Sequence, residues 1–356
     1  MSRTVPLALL TGATGFLGAA LAANLLDRGF DVRCAVRGDR PQERESRVRA
    51  AVEAAGAVAG GDRLEVVQAD LERERLGLSA QGFADLRDGV THVVHCGARV
   101  NMTLPYSALQ APNVRAVADL LDLAQACGAG FAFVGSLAAV APSTSGEPFE
   151  LIDPVLGGYG QSKWAADRLV CEAHRDGRVR ALMLRAGRIT ADSRTARANP
   201  DDLLEQVLRV CVRLGSAPAL ETGVRISPVD WVAGVMTALC ADEGAYGRAY
   251  HLLSAEALPW ARALEAVREA GFPLAVLPYP QWRDAVLAEG RVDAAVARVA
   301  QALPAHALSF DERSTRGPVN ARRRLGAGFV EPPVAAEQLA ATLRAWRESG
   351  RLHAVG

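Results

Sequence analysis

The sequence predicts an α/β fold: a doubly wound parallel sheet accompanied by a smaller, mainly helical C-terminal lobe. Two observations carry this prediction. Short apolar runs alternate with amphipathic helical patterns through the first half of the chain, which is typical of βαβ units and a parallel sheet. The chain also has 356 residues, of which 50% are hydrophobic and 22% charged, so it can bury one large core and a companion lobe.

The apolar runs predict six strands and a possible seventh, joined by helices whose apolar residues recur every three to four positions. The predicted strands lie at 6–12, 30–38, 64–70, 91–97, 130–136, 179–187 and 249–254, and the clearest helices at 16–29 and 113–127.

The alternation of strands and helices stops after residue 190. A polar loop over 190–202 leads into an amphipathic helix over 203–215, and from about residue 255 the pattern is helical with Pro/Gly-rich connections. We therefore predict a nucleotide-binding domain over 1–255, with 190–223 contributing to the second lobe. A helical subdomain for substrate and carrier binding is predicted over 256–356.

Charge and cysteine usage exclude several classes of protein. The formal net charge is zero, which argues against a nucleic-acid binder. The six cysteines form no C-x-x-C pair, and His92 and His95 point to opposite faces of a predicted strand, so we expect no metal site. The sequence contains neither a long apolar run nor a cleavable leader pattern. We expect a cytoplasmic protein without a membrane partner, and a monomer.

Three glycines follow the first predicted strand with the spacing G-x-x-G-x-x-G. They are Gly12, Gly15 and Gly18 in the segment TGATGFLG. Small residues let the backbone approach a pyrophosphate, and the N-terminus of the following helix offers N–H groups and a positive dipole end. Because the glycines lie between a strand and a helix, they predict dinucleotide binding in a Rossmann fold rather than an ordinary tight turn.

The end of the second predicted strand discriminates between the two nicotinamide dinucleotides. NAD sites place an acid there, whereas NADP sites place an arginine near the 2′-phosphate. The chain reads CAVRGDR, so Arg37 occupies this place and Asp39 is the competing candidate. Arg47 could supply a second positive charge. Asp70, after the third strand, could reach the adenine amino group or cap its own loop. We expect NADPH, with NADH as the alternative.

The only lysine of the chain lies four residues after Tyr159. The sequence contains 40 Lys and Arg residues, and all except Lys163 are Arg. An ammonium group is compact and can lower the pKa of a neighbouring phenol in a way that a planar guanidinium does not reproduce. The pattern Y-x-x-x-K therefore predicts an acid–base pair, although such residues also form ordinary helix neighbours. Ser136, which ends a predicted strand, could hold a substrate carbonyl oxygen or simply cap a turn.

These motifs together resemble the extended short-chain dehydrogenase/reductase superfamily. Within it the chain is similar to the thioester reductase (R-domain) family, whose members end some nonribosomal peptide and polyketide assembly lines and carboxylic acid reductases. The narrowest motifs are HCGARVNMTLPYSALQAPNV at 95–114 and RAGRITADSRT at 185–195. Two positions depart from the family: Ala186 stands where Pro is usual, and Cys96 where Asn is common.

The resemblance implies an NADPH-dependent reductase. Its substrate would be an acyl thioester on the phosphopantetheine arm of a carrier protein, and its product a free aldehyde or, after a second reduction, an alcohol. The implied catalytic residues are Ser136, Tyr159 and Lys163. The implied cofactor-binding residues are Gly12, Thr14, Gly15, Phe16, Leu17 and Gly18 at the pyrophosphate, Arg37 and Arg47 at the 2′-phosphate, Asp70 and Leu71 at the adenine, Gly97 and Ala98 at the ribose, together with Tyr159 and Lys163. Asn113 is implied to support the sheet edge.

Two other functions share these motifs. One is a different extended-family enzyme, such as a nucleotide-sugar epimerase/dehydratase or a ketone reductase. The other is a non-catalytic redox-sensing or binding protein on the same fold. In the C-terminal lobe, the arginine run of NARRRLG at 320–326 is interpreted as a solvated charge run, with contact to a pantetheine phosphate or an acidic carrier surface as the alternative.

Overall fold

The computed structural model describes residues 5–57, 61–310 and 317–352. The chain divides into two units. Unit 1 consists of Met1–Gly187, Val232–Leu252 and Arg313–Val330, and unit 2 of Arg188–Trp231, Leu253–Glu312 and Glu331–Gly356. The prediction assigns 1–255 to one domain, with 190–223 contributing to the second lobe, and 256–356 to the other, whereas these units alternate along the chain.

Unit 1 is built on a sheet of seven parallel strands. Each predicted strand is present, with bounds that agree to within about two residues. The strands, numbered in chain order, are β1 (Leu7–Thr11), β2 (Asp31–Val36), β3 (Leu64–Gln68), β4 (Val90–His95), β5 (Gly130–Ser136), β6 (Arg180–Ala186) and β9 (Arg248–Leu252). Their spatial order is β3-β2-β1-β4-β5-β6-β9, which confirms the predicted Rossmann-type fold.

Helices connect the strands of unit 1 as parallel crossovers require. They are α1 (Phe16–Asp27), α2 (Pro41–Ala54), α3 (Ala80–Asp85), α4 (Tyr106–Gln110), α5 (Ala116–Cys127), α6 (Gly158–Arg175) and α8 (Val229–Cys240), which crosses the unit boundary. One further helix, α12 (Val319–Leu325), comes after the last strand of the sheet. A π-helical turn (Ala111–Arg115) precedes α5, so the helix predicted from residue 113 begins with a wider turn that contains Pro112.

The strand order reverses at β1, and this reversal determines where a ligand can bind. From β1 the chain continues to β2 and β3 on one side, and then returns to β4 on the other. The loops after β1 and β4 leave the sheet in opposite directions, and ligands of open α/β sheets bind in the crevice this creates. The central strands are apolar and buried on both faces, as in Ala8, Leu9 and Leu10 of β1.

Unit 2 is mainly helical and has its own apolar core. Its helices are α7 (Leu203–Leu214), α9 (Trp260–Glu269), α10 (Tyr279–Glu289), α11 (Ala294–Ala302) and α13 (Ala335–Glu348), and its four short strands are β7 (Ser216–Ala219), β8 (Gly223–Val224), β10 (Leu258–Pro259) and β11 (Ala275–Pro278). β7 pairs in parallel with β11, and β8 pairs antiparallel with β10.

Three buried tryptophans fasten the core of unit 2. The indole N–H of Trp260 donates to the carbonyl of Pro218 at 2.8 Å, that of Trp282 to Ser216 at 3.0 Å, and that of Trp346 to Ala196 at 2.8 Å. Each ring therefore fills apolar volume while its one polar group is satisfied by backbone.

We predict that Trp282→Ala lowers the free energy of unfolding by about 3–5 kcal/mol, because it leaves a large cavity at a fully buried position. Trp282→Phe should cost less, since it keeps most of the volume and loses mainly the bond to Ser216. Urea unfolding followed by circular dichroism measures both. Val292→Ala, at a position 82% exposed, serves as the control. An equal loss for Ala and Phe would contradict the cavity argument.

Candidate active site

The glycine loop lies in the crevice at the carboxyl ends of β1 and β4. Gly12 has φ +81°, and a Cβ added there would lie 2.8 Å from the nitrogen of Gly97, which follows β4. A Cβ on Gly18 would lie 2.0 Å from the carbonyl oxygen of Gly12. The two loops therefore approach to a distance that only glycine permits. Among the described residues no side chain caps α1 at Gly15, which leaves its N-terminus suited to a phosphate.

The residues predicted to bind the adenine and the ribose lie beside the glycine loop. A Cβ on Gly97 would come within 2.6 Å of the Leu71 side chain. One carboxylate oxygen of Asp70 accepts the backbone N–H of Glu72 at 3.0 Å, so this aspartate does cap its own loop. Thr11, which sequence reasoning did not select, receives the N–H of Gly97 on its hydroxyl at 3.0 Å and joins the two strand ends.

The two predicted arginines meet at the end of β2. The guanidinium of Arg47 donates to the backbone carbonyl of Arg37. The Arg37 side chain is exposed and lies 3.5 Å from a carboxylate oxygen of Glu72. Asp39, the competing candidate, is also exposed. Both arginines therefore lie at the end of β2, the position that discriminates between the two dinucleotides in such a fold.

The three predicted catalytic residues come together at the carboxyl end of β5. Ser136 ends the strand, and its hydroxyl accepts the N–H of Ala138 at 3.2 Å while its side chain also bonds to the Tyr159 phenol. Tyr159 and Lys163 lie one turn apart near the start of α6, and both are buried. The Lys163 ammonium donates to the carbonyl of Val134 at 3.0 Å and lies 5.1 Å from the centre of the Phe133 ring.

Burial has the largest effect on the pKa values of Tyr159 and Lys163, the predicted acid–base pair. It raises the pKa of Tyr159 to about 12, a shift that the hydrogen bond from Ser136 reduces. It lowers the pKa of Lys163 to about 8. The sequence predicts that Lys163 lowers the phenol pKa, but in the structure the group that does so is Ser136, because the ammonium is directed to the backbone of β5. At neutral pH the phenol holds its proton and is suited to donate it.

Two further side chains beneath the site are neutral. Burial lowers the pKa of His95 to about 3, and its ring stacks on Phe133 at 6.0 Å between centroids. Burial raises the pKa of Cys96 to about 12, so it is a thiol and not a nucleophilic thiolate. Among the described residues, His, Cys, Asp and Glu form no cluster that could hold a metal.

Asn113 connects the π-helical turn to α6. Its amide donates to the Ser162 hydroxyl at 3.0 Å and to the carbonyl of Arg99 at 3.1 Å, and its carbonyl accepts the N–H of Arg99 at 2.7 Å. Single π-turns are frequent at functional sites. Here the wider turn places Asn113 between the loop after β4 and α6, rather than at a sheet edge.

A buried ion pair that sequence reasoning missed joins α6 to the sheet. Asp167, one turn after Lys163, accepts two bonds from Arg185 on β6 at 2.8 and 2.9 Å, and both side chains are fully buried. The same guanidinium donates to the carbonyls of Pro148 and Phe149. Removing one partner of such a pair costs about 3–5 kcal/mol in proteins generally. The sequence did contain one indication of this ion pair, since Arg185 lies within the otherwise apolar strand RALMLRA.

The segment that precedes α6 is also hydrogen-bonded to α12, the helix that carries the arginine run. Glu147 accepts the backbone N–H groups of His251 and Asn320, at 2.7 and 2.8 Å. Of the three consecutive arginines, Arg322 lies over the Phe329 ring and Arg324 pairs with Asp242. Two of them are thus engaged within unit 1.

Comparison with known proteins places this site in a family. The model of the NAD-binding family described as "Male sterility protein" matches residues 10–236. The crystal structure of the terminal R domain from the myxalamid PKS-NRPS biosynthetic pathway is 30% identical, with a TM-score of 0.89, and covers 99% of this chain and 93% of that one. The chain belongs to the reductase (R) domain family of the extended short-chain dehydrogenases/reductases.

Curated relatives of this reductase family are longer proteins. The L-2-aminoadipate reductase of Eremothecium gossypii is 33% identical, in its large subunit, over 78% of this chain, and a linear gramicidin synthase of Brevibacillus parabrevis is 32% identical over 88%. The chain spans only 22% and 6% of their respective lengths. A UDP-glucuronic acid 4-epimerase from Bacillus cereus, at 13% identity and a TM-score of 0.68, shares the fold alone.

Membership of the reductase family makes this chain an oxidoreductase with a nicotinamide cofactor. The glycine loop (Gly12, Gly15 and Gly18), which approaches Gly97 after β4, fits the pyrophosphate of such a cofactor. In the described residues, no helix combines the length and apolar character needed to cross a bilayer.

We predict that Lys163→Arg loses turnover by about 10²-fold, because a planar guanidinium cannot occupy the site of an ammonium bonded to Val134. The wild-type rate should fall as pH rises above about 8, where Lys163 loses its proton. The residual rate of the variant should lack this fall, since arginine stays charged. Steady-state rates from pH 6 to about 10 measure both effects. A near wild-type rate for Lys163→Arg would contradict the role of the lysine.

Proposed function

We propose that this chain reduces an acyl thioester, carried on the phosphopantetheine arm of a carrier protein, to a free aldehyde with NADPH. The observation that carries the proposal is that Ser136, Tyr159 and Lys163 lie together at the carboxyl end of the sheet that also carries the glycine loop. The identity of the substrate is supported by the names of the relatives, which include a linear gramicidin synthase and the terminal domain of a PKS-NRPS pathway.

The cofactor, when bound, supplies a hydride to the thioester carbonyl carbon. Gly12, Gly15 and Gly18 would hold its pyrophosphate, and Lys163 its nicotinamide ribose. The hydroxyls of Ser136 and Tyr159 donate to the carbonyl oxygen, where negative charge develops, and preorganised donors are most effective at that point.

Tyr159 then transfers its phenolic proton to the oxygen, and the ammonium of Lys163 offsets the charge left near the ring. The hemithioacetal so formed loses the carrier thiol: its hydroxyl proton goes to the sulfur, the carbon–sulfur bond breaks, and an aldehyde leaves. Solvent returns a proton to Tyr159. Cys96 takes no part, because burial keeps it a thiol.

The test is turnover of an acyl-pantetheine thioester and of an acyl-carrier protein with NADPH, with the products identified by mass spectrometry. We expect an aldehyde with one NADPH oxidised per thioester, or an alcohol with two. Tyr159→Phe should reduce the rate by about 10²–10⁴-fold with the cofactor still bound. Turnover of free ketones or nucleotide sugars, with none of any acyl thioester, would overturn the proposal in favour of another extended-family enzyme.

We propose NADPH over NADH because Arg37 and Arg47 stand at the end of β2. Arg37→Ser should raise the Kd of NADPH by about 10-fold or more, since a charge-assisted bond to the phosphate is lost, and should leave the Kd of NADH unchanged. Isothermal titration calorimetry measures both constants. Arg40→Ser is the matched control, because Arg40 is exposed and pairs with the nearby Glu43 on the surface. Equal losses for the two dinucleotides would assign Arg37 a merely general electrostatic effect.

A further inference from the structure

A turn of left-handed backbone follows β3 in unit 1. In the described part of the chain, three residues other than glycine have a positive φ, and two of them are neighbours: Arg75 at +48° and Leu76 at +57°. Gly77, at +74°, continues the same hand. We call these three residues the left-handed turn. Left-handed backbone is costly for a residue with a Cβ and normally occurs at single positions. Such strain persists only where the surroundings impose it, and it concentrates at binding and catalytic sites.

The left-handed turn is folded back against the residues predicted to bind the adenine. The backbone N–H of Asp70 donates to the carbonyl of Leu76 at 2.8 Å. Leu71, the next residue, has the side chain that a Cβ on Gly97 would meet at 2.6 Å. The conformation of the turn therefore determines where Asp70 and Leu71 lie beside the glycine loop.

Helix α5 holds the left-handed turn with a carboxylate and an apolar contact. Burial raises the pKa of the Asp119 carboxyl group, and hydrogen bonds from the backbone N–H groups of Arg75 and Leu76 lower it again. The Leu76 side chain is only 1% exposed and belongs to the same apolar core as Val117 and Leu120 of α5. The turn is thus fixed to α5 through both its backbone and its buried side chain.

A second contact fixes the other end of the same loop. The guanidinium of Arg115, just before α5, donates to the backbone carbonyl of Glu72. The N–H of Glu72 donates to Asp70 at 3.0 Å, and its carboxylate lies 3.5 Å from Arg37. The loop from Asp70 to the left-handed turn is therefore held at both ends by side chains that come from α5 or immediately precede it.

We propose that Asp119 is a positioning residue for the adenine end of the nicotinamide dinucleotide. It holds the left-handed turn, and the turn holds Asp70 and Leu71 in the arrangement that receives the base. The proposal rests on the adenine site of the proposed function and is independent of the acyl substrate. Asp119 acts through the turn and does not itself bind the cofactor, so its loss should change the affinity for the dinucleotide.

The first test measures Kd by isothermal titration calorimetry, with whichever of NADPH and NADH the wild-type chain binds more tightly. Asp119→Ala should raise this Kd by about tenfold, because the N–H groups of Arg75 and Leu76 lose their acceptor and the turn relaxes. Asp119→Asn keeps a carbonyl oxygen as acceptor and should stay within about twofold of the wild type. Asp122→Ala is the matched control, since Asp122 also lies on α5 but pairs with Arg178 at 2.6 Å.

The adenosine half of the cofactor tests whether the change lies at the adenine end. The probe is 2′,5′-ADP if the wild type prefers NADPH, and ADP if it prefers NADH. Asp119→Ala should raise the Kd of this probe by the same factor of about ten, because the probe keeps the base and lacks the nicotinamide.

Variants of Arg75, whose side chain is exposed, test the backbone strain directly. Arg75→Gly should raise the melting temperature by about 1–2 °C and, combined with Asp119→Ala, restore most of the lost affinity, because glycine adopts a positive φ freely. Arg75→Val should raise the Kd by about fivefold, since a β-branched residue disfavours a positive φ. Arg73 is the control position: it is exposed and has φ −120°, so Arg73→Gly and Arg73→Val remove the same charge without these effects.

The proposal is overturned if Asp119→Ala and Asp122→Ala bind the dinucleotide alike, if the adenosine half binds Asp119→Ala as it binds the wild type, or if Arg75→Gly restores no affinity. Should Asp119→Ala not fold, the exposed positions decide: equal Kd values for Arg75→Val and Arg73→Val would overturn the proposal. Because these titrations follow binding, a chain that binds the dinucleotide but reduces no thioester would overturn the proposed function and leave this result unaffected.

Discussion

The buried pair of Asp167 and Arg185 is the interaction on which the site of unit 1 depends. It joins α6 to β6, and the same guanidinium is hydrogen-bonded to the segment 148–149 that leads toward α6. Two charges without solvent are tolerable only in such a complete set of bonds. The pair therefore links the position of Tyr159 and Lys163 to the sheet, and through the register of β5 with β6 to Ser136, whose partner across the strands is Ala186.

Near this ion pair, burial determines which side chains are protonated. Removal from solvent raises the pKa of Tyr159 and lowers that of Lys163. The phenol therefore keeps its proton, whereas the ammonium loses one in mildly alkaline solution. His95, Phe133 and Lys163 form a packed column beneath the site, neutral at its base. The site is thus arranged to donate protons in a reduction. The departure at Cys96 adds a thiol that provides no nucleophile, because its raised pKa keeps it protonated.

Unit 2 follows a different principle. Its helices enclose an apolar core in which tryptophan N–H groups are bonded to backbone carbonyls, and several of its carboxylates, among them Glu205, Glu289 and Asp293, are paired with arginines. The arginine-rich composition supplies the counter-ions for these carboxylates, and the single lysine of the chain lies in α6.

Local patterns in the sequence determined most of the fold and much of the candidate site. Strand periodicity, the glycine spacing, Arg37 and the Y-x-x-x-K motif are short-range features, and the strands of unit 1 lie where these patterns predict. Only the tertiary structure decided which distant residues meet, as Asp167 does with Arg185 and Glu147 with Asn320. It also decided how the two units alternate along the chain. The direction of the Lys163 ammonium and the source of the Tyr159 pKa shift were also decided there. Burial and long-range pairing depend on the packing of segments far apart in the chain, and no local spacing encodes them.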